Sequence, residues 1–106
     1  MVQIVWTDEA LAWLREIHDY ISADKPDAAR RVVAGILNRA EQLAKFPELG
    51  QRLRLPQIRD TRVLLYGHYR IAYRLREDRI EILGVYHGAL DIARRLTRSV
   101  NPEENE

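Results

Sequence analysis

Apolar residues recur with the period of a helix through the first half of the chain and with the period of a strand through most of the second. Val2 to Trp6 is short and β-prone, which predicts a first strand. Thr7 follows as a helix N-cap, with Asp8 and Glu9 at the positive end of the helix dipole. Ala10, Leu11, Leu14, Ile17, His18 and Ile21 then fall at helical spacing, and Trp13 and Tyr20 form a flanking apolar line. So wide an apolar surface needs two neighbours. The helix stops near Ala23. Asp24 is placed to cap a second helix, Pro26 fits its first turn, and Asp27 lies near the positive end of its dipole. Ala29, Val32, Val33, Ile36, Leu37, Ala40, Leu43 and Ala44 continue that helix at three- and four-residue steps. The short break between the two predicts an antiparallel αα-hairpin. Pro47 and Gly50 end it.

Residues 51–60 read as an arginine-rich connection containing Pro56, after which the period becomes two. Thr61 to Tyr66 predicts a strand and Gly67-His68 a tight turn. Tyr69, Ile71, Tyr73 and Leu75 alternate with Arg70, Ala72, Arg74 and Arg76, which predicts a second strand of a meander. Glu77-Asp78 makes the next turn, and Arg79 to Tyr86 the third strand. The end of that strand is apolar on both faces, the mark of a central position. Ala89 to Leu96 predicts a last helical turn or two, and residues 99–106 a flexible tail. The fold class is therefore α+β in the order β-α-α-β-β-β with a short C-terminal helix. A small, mostly antiparallel sheet is covered on one face by the hairpin, in a single domain over residues 1–98.

Composition narrows the function classes. The chain has 106 residues and no cysteine, so it offers no disulfide and no thiolate metal site. No stretch approaches the roughly 20 apolar residues that span a bilayer. The first residues lack a signal-peptide pattern, which predicts a cytoplasmic location without membrane contact. The net charge of +1 hides an asymmetry: residues 1–50 carry −2, residues 51–98 carry +6 with arginine as every base, and residues 99–106 carry −3. Arginine's planar fork suits phosphate and carboxylate, so the second half can face nucleic acid or an acidic protein. A solvated, arginine-rich sheet face explains the same charge. No two histidines have a metal-ligand spacing, so neither metal nor cofactor is expected.

Three stretches together resemble the ParE/RelE toxin superfamily of type II toxin–antitoxin systems, closest to its ParE branch. They are Trp6-Thr7 through Tyr20-Ile21, then Leu43 through Gly50, and third Gly67-His68-Tyr69-Arg70-Ile71-Ala72-Tyr73-Arg74 with Asp78 through Ile92. The resemblance runs over residues 2–96. It implies a toxin that arrests growth by inhibiting DNA gyrase, with a cognate ParD-like antitoxin whose C-terminal segment folds on it. The RelE branch implies a different target, the ribosome and its mRNA.

RNA cleavage without a metal needs a base, cations for the phosphate, and an acid for the leaving oxygen. By the resemblance Arg70, Tyr86 and His87 are the catalytic candidates, with Glu48, His68, Arg52, Arg54 and Arg62 as possible neighbours. For a gyrase-binding toxin the target-contact candidates are Arg70, Arg74, His87 and Asp91. Candidates for antitoxin contact are Trp13, Tyr20, Arg62, Tyr69 and Tyr73. Competing readings stay open at this point. Arg70 can pair with an acid on a neighbouring strand, His87-Gly88 can be a strand-ending turn, and Tyr69 and Tyr73 can face the core with hydroxyls at the rim. A non-toxic antitoxin-binding module is the third reading of the whole chain.

Overall fold

The computed structural model describes residues 2–54 and 60–87. Strand β1 spans Gln3–Trp6, helix α1 Asp8–Ser22 and helix α2 Pro26–Glu41, the last followed by a 3-10 turn over Gln42–Ala44. Strands β2 (Gln51–Arg52), β3 (Thr61–Tyr66), β4 (Tyr69–Leu75) and β5 (Arg79–His87) complete it. The sheet order is β1-β5-β4-β3-β2. β1 joins β5 in parallel, and the other three pairings are antiparallel. The α+β class and the order of elements are those predicted. β2 was not predicted: two residues of the arginine-rich connection add to β3. The predicted helix over 89–96 and tail over 99–106 lie outside the described residues.

Thr7 ties α1 to the sheet. Its Oγ1 accepts a hydrogen bond from the Ala10 amide at 3.1 Å and donates one to the Ile82 carbonyl at 2.8 Å. The Thr7 amide reaches the same carbonyl at 3.2 Å, extending the β1–β5 ladder by one residue. The start of α2 differs from expectation. Lys25, not Asp24, is the N-cap, and no side chain caps the helix. The chain reverses so tightly that the Asp24 and Lys25 amides both turn back to the Ile21 carbonyl. Pro26, which has no amide to satisfy, then opens α2.

The core lies between the hairpin and one face of the sheet. Ala10 and Leu14 of α1 and Ile36, Ala40 and Leu43 of the second helical segment meet Leu64, Ile71, Tyr73, Ile80, Ile82 and Val85. Strict alternation would put Ile82 and Val85 on opposite faces. A β-bulge brings them together: Tyr73 pairs with Ile82 but Ala72 with Gly84, leaving Leu83 as the extra residue. This is why the end of β5 looks apolar on both sides. On the face away from the core, Ala72, Leu83 and Tyr86 form a second buried group with Trp13, Leu53 and Val63 packed against it.

Two glycines make room for tyrosines. A Cβ at Gly35 would stand 1.8 Å from the Tyr66 hydroxyl, and one at Gly84 would stand 2.3 Å from the Tyr86 hydroxyl. The missing side chain of Gly35 lets α2 accept β3's Tyr66, and that of Gly84 lets the Tyr86 ring lie along its own strand. Among the described residues, no helix is long and apolar enough to cross a membrane.

Candidate functional site

The register of β3, β4 and β5 decides which candidate residues can act together. Arg70 is the Cα partner of Tyr86 on β5 and of Leu65 on β3, so these three side chains share one face. Arg74, four residues further along β4, shares that face too. His87 is the partner of Tyr69, and both belong to the opposite, core-side face. Their rings meet edge-on with centroids 5.3 Å apart. The set Arg70, Tyr86 and His87 is thus split by the pleat of the sheet. Tyr86 is also buried and packs edge-on against Trp13 at 5.3 Å. The convergent nuclease centre that the sequence allowed is not assembled from these three residues.

Arg70 is half-buried, and no ion pair joins it to a carboxylate among the described residues. The expectation that it pairs with an acid on the next strand is therefore not met. The other cations of this part of the sheet are drawn to Glu81. Arg76 bonds it at 3.2 Å and Arg79 at 3.4 Å, while Arg74 is its Cα partner. Burial would raise the Glu81 carboxyl, but these three guanidinium groups outweigh it and hold the carboxyl below its ordinary value. The Nε of Arg74 is buried without an acceptor among the described residues. Next to Arg70, Leu65 is 51% exposed. Arg70, which has no carboxylate partner among the described residues, thus stands beside an exposed aliphatic side chain.

Tyr73 and Arg62 turn out to hold a loop. Tyr73 is fully buried, donates to the Pro47 carbonyl at 2.8 Å and accepts from the Gly50 amide at 2.9 Å. Burial raises its phenol above the usual value, against smaller opposing contributions from the Gly50 amide and Arg62. Arg62 donates to the Gly50 carbonyl at 2.8 Å and the Glu48 carbonyl at 3.3 Å. Tyr73 therefore has no surface to offer an antitoxin, and the Arg62 guanidinium is already engaged. Alternation placed the Tyr73 ring but not its distant partners, which lie 23 and 26 residues away. Of the remaining antitoxin candidates, Tyr20 is 85% exposed, Tyr69 is half-buried at the sheet rim, and Trp13 packs on Tyr86. Exposed apolar side chains missed at the sequence level are Phe46 and Leu49 on the pinned loop. They border a groove floored by Val2, Leu75 and Ile80. Asp91 lies outside the described residues.

The same architecture occurs in solved toxin–antitoxin systems. It is similar to the chromosomal ParDE system of Pseudomonas aeruginosa, with a TM-score of 0.72 over 84% of this chain and 98% of that one at 23% identity. It is also similar to the RelBE2 toxin–antitoxin complex of Mycobacterium tuberculosis, with a TM-score of 0.63 over 81% and 96% at 24% identity. At those identities the likeness is one of fold. Sequence comparison goes further. The model of the ParE toxin of type II toxin–antitoxin systems, parDE, matches residues 4–92. The putative toxin Y4kP of Sinorhizobium fredii is 45% identical over 85 residues, covering 80% of this chain and 86% of that protein. The toxin RelE2 of Caulobacter vibrioides is 36% identical over 89 residues, covering 84% and 98%. The chain belongs to the ParE toxin family, within the ParE/RelE superfamily of type II toxins.

Proposed function

We propose that this toxin arrests growth in the cytoplasm by binding DNA gyrase, and that the face carrying Arg70 and Arg74 is the surface that does so. The observation that carries the reading is the split register: Arg70 and Tyr86 point to one face of the sheet and His87 to the other. A binder needs only one such face, whereas a nuclease needs acid, base and cation around one phosphate. The membership in the ParE family supports the same choice. RNA cleavage remains the second reading through the RelE2 relative.

A cognate antitoxin neutralises the toxin by wrapping it. Among the described residues, the large exposed apolar side chains fall on three parts of the molecule: Leu11, Tyr20 and Leu37 on the hairpin, Phe46 and Leu49 on the loop, Leu65 on the sheet. That distribution suits an extended partner that folds on the surface better than a rigid body docking at one place. Tyr20 and Tyr69 remain among its contacts, and the arginine-rich second half favours an acidic segment.

The deciding experiment titrates the antitoxin-free protein into a gyrase supercoiling reaction and follows trapped, cleaved DNA. Loss of supercoiling with accumulated cleavage is expected. A folded protein that arrests growth but leaves gyrase untouched, while cutting mRNA on translating ribosomes, would replace this reading with the second.

A further inference from the structure

The three histidines look unrelated in sequence, and His68 and His87 are separated by nineteen positions. The fold brings those two together. His68 is the second residue of the two-residue turn between β3 and β4, opened by Gly67 at φ 57°. His87 closes β5 opposite Tyr69, the residue after His68. The two imidazole centroids lie 6.0 Å apart with the ring planes tilted by 49°. Both residues are exposed. Neither ring has a hydrogen bond or ion pair to a described residue, in contrast to His18, which pairs with Asp19 at 3.1 Å.

We propose that His68 and His87 form a two-imidazole seat for one borderline divalent transition-metal ion, with zinc as the representative. An imidazole nitrogen binds zinc at about 2.0–2.1 Å, so each ring centre stands about 3 Å from the ion and two rings sharing it lie roughly 5–6 Å apart. The observed centroid spacing of 6.0 Å lies at the upper end of that range, and both side chains are exposed. Tyr69 helps by packing edge-on against His87 at 5.3 Å, which restricts the ring that would otherwise swing away. Among the described residues no third histidine, cysteine or carboxylate joins the pair. Water completes the coordination, and the affinity is accordingly below that of a closed structural site. Nitrogen ligands select zinc, nickel, cobalt or copper over magnesium and calcium. A bound ion cross-links the β3–β4 turn to the last residue of β5, so it stiffens the rim beside Arg70.

The test is a calorimetric titration of the antitoxin-free full chain with zinc chloride, paired with proton NMR of the histidine rings. Saturable binding of one ion is expected, with the His68 and His87 ring resonances moving together and His18 still. His68→Ala and His87→Ala should each weaken zinc binding at least about tenfold, the scale of losing support at a metal site. His18→Ala should leave it unchanged. His68→Gln and His87→Gln, closer in shape, should reproduce the loss without disturbing the fold. The proposal is overturned by absent binding to the wild-type chain, by zinc affinity that survives either substitution, or by magnesium binding as tightly as zinc. The ring resonances in the wild-type chain decide the matter even if a variant fails to fold. None of these outcomes depends on gyrase.

Discussion

Arg70 and His87 leave neighbouring strands on opposite faces of the sheet, because Arg70 pairs with Tyr86 and His87 with Tyr69. One consequence is direct. Arg70→Ala should weaken gyrase inhibition about tenfold or more, the loss expected of an arginine anchor at a binding surface. His87→Ala should change it by no more than about twofold. Since Arg70 holds no carboxylate among the described residues, stability should stay within about 0.5 kcal/mol. The comparison of inhibition curves and denaturation midpoints checks all three. Equal losses from both substitutions would contradict a one-faced target surface.

Tyr73 holds the Pro47–Gly50 loop through two hydrogen bonds made by one buried hydroxyl. Tyr73→Phe leaves the Gly50 amide and Pro47 carbonyl without that partner, so it should destabilise the fold by about 1–3 kcal/mol in a denaturant titration. The wild-type chain should also lose stability in alkali. Burial raises the Tyr73 phenol, so the folded state resists ionisation longer than the unfolded state. That contribution is complete below pH 10 and lost as pH rises through the raised value. The phenylalanine variant should show less alkaline loss.

Glu81 gives the acid counterpart. Burial opposes its ionised form, yet Arg76, Arg79 and Arg74 hold its carboxyl below the ordinary value. A depressed folded value means the unfolded state takes up the proton first. The stabilisation is therefore present above the ordinary carboxylate value and falls as pH drops through the lowered one. Glu81→Gln should flatten the stability profile in that acid range, measured by thermal unfolding at a series of pH values. An unchanged profile would mean the three arginines exert no net effect on it.

Gly84→Ala reverses an ordinary expectation. Alanine in a strand interior is usually better than glycine by roughly 0.5–1 kcal/mol. Here the new methyl would meet the Tyr86 ring, whose Cζ lies 2.6 Å away and which is held by burial and by Trp13. Destabilisation of about 1–3 kcal/mol is expected, in the range of overpacked cores. Tyr86→Phe, which removes the hydroxyl that comes closest to the added methyl, should recover part of the loss in the double variant.

Much of this architecture is written in local pattern. Thr7 announces α1 because a hydroxyl before two acids is the cheapest way to satisfy the first helix amides. The three- and four-residue steps from Ala29 to Leu43 fix α2, and the period of two from Thr61 to Tyr86 fixes the meander, since each period follows from the backbone geometry alone. The two-residue turn at Gly67-His68 was equally legible, because glycine admits the positive φ found there.

What pattern could not decide was anything that depends on register or on a distant partner. The bulge at Leu83 moves Val85 to the core side, and the neighbouring Gly84 hints at an irregularity without saying which residue is extra. β1 beside β5 and the short β2 beside β3 are choices among edges that the meander leaves equally open. Tyr73 reads as a rim tyrosine until the loop 23 to 26 residues earlier folds over its hydroxyl. Arg70, Tyr86 and His87 read as one candidate centre until pairing assigns them faces, and His68 and His87 read as strangers until the same pairing makes them neighbours. The physical reason is common to all of these. Helix and strand periods arise within a few residues of backbone, whereas register and face are set by the long-range burial of side chains against one another.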